Sequence, residues 1–570
     1  MKGVDFSARM GISEYLKENT ANLNLFSKTD ESLAAEFKPY EGHWDELAQF
    51  THIELCGENI TIIPDCIKNL PALNSMTIRS TGIKKMPEWT GKLSSLNFYD
   101  LTNESLASLF ESFDDLWFTT TSITELTLHG EGLTVFPDRL KILNKLKIVY
   151  LWNTGITQIP VWIQSLKLLE KLSIGVAEIR TLPEWLANFP CLKELDLYNL
   201  KITKIPEWIG NLNKLETLSI NLCPISDLPV SIGKLGMLKK LRIIQPCIGR
   251  YSSEESLAAF RNFTVSLPYS INDCTSLREI DLHECPIIEL PDISNLTQLT
   301  NLDLRSTEIK VLPESIGKLS QLITLDLSGS KIEVLPDSIG RLTNLTNLDL
   351  SYSSIMALPE SIGNLASLKK LNLNNTRNLR ILPETIGDLS ALQVLDIGSF
   401  FSLHNEKTIT ILPETIGRLR SLKVLLLNDS DISSLPESIG ELSSLKILYL
   451  NDTPITELPQ SMEKLCSLEK LNLNGVKITE LPLSIGNMKS LKILLLKDTD
   501  ISSLPDSFVY LSSLEKLDLS GTKITHFPEC ISKLSTLASF RFSNGAFEEE
   551  KLFRGSSFLD DDYDFGSAMF

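Results

Sequence analysis

Residues 322–344 read LITLDLSGSKIEVLPDSIGRLTN. Leu325 and Leu327 alternate with Thr324, Asp326 and Ser328, the two-residue period of a strand with one face buried and one presented. Ile332 and Leu335 turn the chain inward again. Pro336 has a fixed φ and no N–H to donate, so a strand ends there and a return segment begins. Ile339 and Leu342 anchor that return as a short helical turn, 3₁₀ or a single turn of α.

The same unit recurs along the chain. Nineteen prolines, from Pro64 to Pro528, follow an apolar residue at a nearly fixed interval, and most neighbours are 23 residues apart. A period of that size describes short units stacked into a solenoid, each touching only its neighbours. The interval breaks three times. It is 50 residues from Pro87 to Pro137, 39 from Pro229 to Pro268 and 30 from Pro383 to Pro413. Insertions are therefore expected near 102–121, 245–262 and 399–408. The last two each follow a strand and should leave from one edge of the sheet.

The repeated wording LxxLxLxxTxIxxLPxSIGxLxx, as in Leu312-Pro-Glu-Ser-Ile-Gly-Lys-Leu319, resembles the leucine-rich repeat family, in particular its 23-residue class. That class includes Ras-group proteins, repeat regions of plant immune receptors and bacterial effectors. The resemblance implies an α/β leucine-rich repeat solenoid, or horseshoe, of about twenty units, with a concave parallel β-sheet and short 3₁₀ or α turns on the convex side. The expected array spans 44–544, between a polar N-terminal cap (1–43, with a helical stretch at Ile12–Glu18) and an acidic, aromatic tail (545–570). Where the family usually has Asn after the strand, Thr307, Ser330, Thr453, Thr499 and others stand here, with Cys223 and Cys285 in two units. A hydroxyl or thiol bonds fewer groups than an amide, so a looser ladder is expected.

The formal charge of −18 disfavours nucleic acid and anionic membrane as partners and favours a protein with a basic patch. The nine cysteines show no CxxC or zinc spacing and read as buried, reduced thiols. The first residues do not read as a secretory signal, and no apolar run reaches membrane length. The expected location is cytoplasmic, or outside the cell by a route without a cleaved signal. A monomer is expected.

Register along the strands identifies candidate partner-binding residues. Tyr150, Trp152 and Tyr198 form an aromatic cluster with Lys171, and aromatics of this kind anchor interfaces. Arg242, His283, Arg305 and Tyr352 extend the presented face. Asp196, Asp281, Asp303, Asp326, Asp349, Asp396 and Asp518 form an acidic file, read either as ordinary repeat wording or as a negative stripe for a basic partner. The inserted segments contribute Arg250, Tyr251, Phe400 and Phe401, with a capped helical start at Ser252–Glu255. Trp89, Trp162, Trp185 and Trp208 fall two residues after a repeat proline and should pack between units. Ser or Thr at that place in later units is expected to cap the turn.

No phosphate-binding loop, zinc-protease, nucleophile-elbow or kinase motif occurs, and no Cys–His pair is placed for catalysis. No cofactor or metal site is expected, a calcium site having too few suitable carbonyls. The sequence therefore describes a non-enzymatic scaffold for protein recognition. Its alternatives are an adaptor presenting a partner to an enzyme, or a bacterial effector acting on a host protein.

Overall fold

The structure is a computed structural model that describes Ile12, residues 20–111, Trp117, residues 120–245, 264–399 and 409–543, and the backbone of Glu548–Leu552. The chain forms two compact units, Met1–Phe263 and Thr264–Phe570.

In the first unit, ten described strands run from Asn22–Phe26 to Lys240–Ile244, each parallel to the next. In the second, the strands from Glu279–Asp281 to Ser539–Ser543 are likewise parallel, and Glu548–Leu552 closes the series antiparallel. Between strands the chain returns through a five-residue 3₁₀ turn such as Asp337–Arg341. Pro336 stands before it with extended backbone, and two bonds close it, Ile339 N to Pro336 O and Leu342 N to Ile339 O, both 3.0 Å. The leucines and isoleucines of the repeat, Leu325, Leu327, Ile332, Ile339 and Leu342 among them, are fully buried between sheet and turns. This is the α/β solenoid that the period predicts.

The first unit starts earlier than expected. Asn22–Phe26 pairs in parallel with His52–Cys56, so the sheet begins one strand before the expected boundary at residue 44. An α-helix, α1 (Asp30–Phe37), follows it, with Thr29 and Ser32 forming a capping box. The Asp30 carboxylate accepts the N–H groups of Thr61 and Ile62 in the next coil, at 2.7 and 3.0 Å. A second helix, α2 (Asn103–Glu111), fills the coil that lacks its proline and buries Leu106, Leu109 and Phe110. It repeats the device, since Asn103 Oδ1 accepts from Thr134 N and Val135 N at 2.8 and 2.9 Å. The two helices share a run, TDESLA at 29–34 and TNESLA at 102–107. A similar run, SEESLA at 253–258, lies outside the described residues, as does the rest of the second insertion.

The Ser and Thr residues after the repeat prolines do not cap their turns. No 3₁₀ turn that follows a repeat proline has a side-chain cap among the described residues, and the hydroxyls of Ser338, Ser361, Thr385 and Ser438 are buried without a hydrogen-bond partner. Ser315 accepts from Ile293 N at 3.3 Å and Thr415 donates to Glu384 O at 2.6 Å, both in the preceding coil, and the role of the unpartnered ones is steric. A methyl group at Gly340 would lie 2.4 Å from the carbonyl oxygen of Ser361 in the next coil and 2.8 Å from its Cβ. The turn glycine is thus the socket for the next coil's small residue. Where the preceding coil has Lys68, Lys141, Gln164 or Ala187 instead of glycine, the next coil carries Trp89, Trp162, Trp185 or Trp208. Trp162 is buried and meets Phe136 at 6.3 Å, and Trp185 meets Phe189 edge-on at 6.0 Å.

The hydroxyl ladder is local, as a short side chain dictates. Ser330 donates to Leu327 O at 2.6 Å and Thr499 to Leu496 O at 2.8 Å, both within their own coil. Of the described cysteines, only Cys223, Cys274 and Cys285 are buried, and Cys466 is exposed. All eight are free thiols.

Candidate recognition surface

Each strand presents two side-chain rows on the open face of its sheet. In the first unit, register sets Tyr150 beside Ser173, then Asp196, Ser219 and Arg242. The adjoining row sets His129 beside Trp152, then Gly175 and Tyr198.

Gly175 makes the aromatic arrangement possible. A Cβ there would lie 2.8 Å from the Trp152 ring, so only glycine lets the indole lie across the intervening strand. The ring reaches Tyr198 two strands away and stacks on it, with centroids 5.2 Å apart and planes 26° apart. Trp152 Nε1 donates to Ser173 Oγ at 3.0 Å, and Ser173 Oγ donates to Asp196 Oδ2 at 2.8 Å. Burial pushes the Asp196 carboxyl up, against the lowering effect of the Ser173 hydrogen bond. Lys171 Nζ pairs with Glu194 at 2.8 Å and lies 5.6 Å from the Tyr150 ring centre, and the Glu194 bond raises its pKa.

Toward the N-terminus the aromatic row continues through residues that sequence reading missed. Tyr99 meets His129 at 5.2 Å, and Arg79 lies over the Tyr99 ring at 4.2 Å while its Nε donates to Glu54 at 3.0 Å. The signal was present, because all share the strand-end register of Trp152. Trp152 and Arg79 are tethered by hydrogen bonds and every ring is half-buried, which restrains this part of the surface before anything binds.

The second unit corrects the reading of the acidic file. Register does align Asp281, Asp303, Asp326, Asp349, Asn372 and Asp396. However, Asp281 and Asp396 are only 5% and 3% exposed. Asp326, Asp349 and Asp396 each accept the backbone N–H two residues on, at 3.0, 2.8 and 2.9 Å. The file therefore stitches the chain's turn out of each strand, a local side-chain-to-backbone role. Burial pushes Asp326 and Asp396 up to about 6, so the row is not a fully charged, solvated stripe.

Asp281, His283 and Asp303 bring one ligand atom each within 4.8 Å of one another, a spacing that suits a metal ion. The set is already neutralised by the protein. His283 Nδ1 meets Asp281 at 2.6 Å, which raises the imidazole pKa, and Arg305 pairs with Asp303 at 2.6 Å. Tyr352 is half-exposed at a left-handed corner, φ 56°. His283, Arg305 and Tyr352 thus belong to the second unit, whereas the aromatic row and Arg242 belong to the first. Arg250, Tyr251, Phe400 and Phe401 lie outside the described residues.

The buried thiols are poor nucleophiles, since burial pushes Cys223, Cys274 and Cys285 up to about 12. No helix among the described residues is long and apolar enough to cross a membrane.

Family comparison matches a leucine-rich repeat region at residues 255–399, 360–446 and 400–477, with further leucine-rich repeat matches at 466–524 and 191–212. Among solved structures, a leucine-rich repeat protein of Leptospira interrogans is 31% identical, with a TM-score of 0.56, over 67% of this chain and 92% of that one. The Toll–Spatzle complex of Drosophila aligns at 16% identity and a TM-score of 0.64, over 94% of this chain and 71% of that one. The Arabidopsis receptor kinase HAESA, in complex with the peptide hormone IDA and the co-receptor SERK1, aligns at 20% identity and a TM-score of 0.50, over 92% of this chain and 81% of that one. No curated protein sequence matches.

Proposed function

This chain belongs to the leucine-rich repeat family, and we propose that it is a non-enzymatic recognition protein that seats a protein partner on the aromatic row of its first unit. The observation that carries this reading is the tethered stack of Trp152 on Tyr198 across Gly175. Rigid aromatics give large contact area at little entropic cost, and such residues dominate interface energetics. The half-buried rings of Tyr99 and His129 lengthen the same anchor. Toll and HAESA supply the fold analogy, since both are seen in complexes.

The partner carries a basic patch. The chain's charge of −18 attracts one, and Glu54, Asp100 and Glu194 border the row. The chain acts as a monomer, without nucleic acid or membrane as ligand. Eight free cysteines support a reducing compartment as its working location.

The test is affinity capture with the intact chain, followed by titration of each captured protein against Trp152→Ala/Tyr198→Ala. The expected outcome is a loss of about 2 kcal/mol or more in affinity with an unchanged melting curve. A captured set that binds both proteins equally well removes the aromatic row as the site.

A further inference from the structure

A second surface, on the other unit, is unexplained by that reading. In five successive coils the residue two places before the repeat proline is apolar and exposed: Val311, Val334, Ala357, Ile381 and Ile411. The four larger side chains are 54, 43, 69 and 57% exposed, and Met356 beside Ala357 is 51% exposed. Other coils of this unit place Glu289, Ser434, Glu457 or Ser503 at that position. Core packing does not account for the five, because the neighbouring Leu312, Leu335, Leu358, Leu382 and Leu412 already fill the interior. Parallel bridges join Val311 to Val334 and Val334 to Ala357, so these three stand abreast, and Ile381 and Ile411 hold the same place before the prolines of the next two coils.

A row of carboxylates runs beside this file. Three residues after each apolar position comes Glu314, Asp337, Glu360, Glu384 or Glu414, all exposed, and none has an ion-pair partner among the described residues. An acid at the start of a helical turn is favoured by the turn's own dipole, which accounts for the acids but not for the exposed apolar file.

We propose that this edge docks a basic amphipathic helix of a protein partner, its apolar stripe on Val311–Ile411 and its lysines or arginines on the adjoining carboxylates. Spacing and charge both select that occupant. Bridged coils repeat every ~4.8 Å. A helix presents one apolar residue per turn of about 5.4 Å. A helix laid along the file therefore offers roughly one side chain to each coil across all five. The carboxylate row repels the two other common takers of exposed apolar surface and basic grooves, an anionic bilayer and nucleic acid. The proposal is independent of the aromatic row, and its test uses residues of the second unit alone.

The probe is a fluorescent leucine–lysine peptide of about 18 residues with leucines at helical spacing. The control peptide has the same composition in scrambled order. Both are titrated against the intact chain by anisotropy at low and physiological salt. The amphipathic peptide should bind at least about ten-fold more tightly than the scrambled one. Val334→Asp/Ile381→Asp should remove that difference while leaving circular dichroism and melting unchanged, since both side chains face solvent. Glu360→Gln/Glu384→Gln/Glu414→Gln should weaken binding and flatten its salt dependence. Equal binding of the two peptides reduces the effect to net charge and overturns the proposal. So does a Val334→Asp/Ile381→Asp variant that binds like the parent. Sedimentation velocity supplies the last arm. A parent dimer that becomes monomeric in the same variant makes a second copy of the chain the occupant, and this also overturns it.

Discussion

At Gly340 the choice of amino acid is made by the next coil. Its missing side chain is the space that Ser361 occupies, and the pair recurs as Gly317 with Ser338 and Gly417 with Ser438. Gly340→Ala forces the two coils apart and should cost ~1–3 kcal/mol, read as a lower urea midpoint. Ser338→Ala should leave the midpoint unchanged or raise it, because the buried hydroxyl has no partner to lose. A marked destabilisation by Ser338→Ala would restore the capping role that the sequence suggested. Val176 shows a second residue-scale constraint. It holds φ 51° at a coil corner where Asn153 and Asn199 stand in the neighbouring coils. A β-branched side chain is strained there, so Val176→Asn should stabilise the fold by about 1 kcal/mol, read as a higher urea midpoint. Neither constraint can be read from one coil alone. The glycine and its serine sit 21 residues apart, and their meaning appears only when coils are stacked.

Strands and turns were the most legible level. The two-residue alternation and the proline gave the sheet, its register and the 3₁₀ turns that follow the repeat prolines, Pro291 excepted, and Tyr150, Trp152 and Tyr198 do share one face. Burial of the aspartate file was not legible, because it depends on how closely neighbouring coils approach. Helix α1 was missed because its coil lacks the proline that marks the others. The file gives a prediction with a definite sign. Asp396 is raised from its ordinary 3.8 to about 6 by burial, so the folded chain binds more protons than the unfolded one across that interval. Stability contributed by this group is therefore complete below the unfolded pKa and declines as pH rises through about 6. Asp396→Asn should flatten that decline and match or exceed the parent at pH 8, as measured by urea midpoints between pH 4.5 and 8. Asn already occupies the equivalent places 372 and 472 and accepts the same backbone N–H there. A variant whose midpoint falls as steeply as the parent's would assign the pH response elsewhere.

The whole molecule carries −18 charges, while part of its most conspicuous acidic file is screened by burial. If the partner is basic, as proposed, its attraction is a property of the summed field. The association rate should fall several-fold between low and physiological ionic strength, as followed by stopped-flow fluorescence of Trp152, while the dissociation rate barely moves. A salt-independent association rate would exclude steering. The glycine sockets have one more consequence at this scale. A 23-residue coil with PxSIG brings both halves of the joint, a plug for the coil before and a hollow for the coil after. Such a segment can be duplicated, deleted or exchanged in register without redesigning either junction. The array is therefore free to change its length and outward lettering by recombination, and the tryptophan-bearing coils, which lack the plug and, at Gln164 and Ala187, the hollow as well, mark places where that freedom stops.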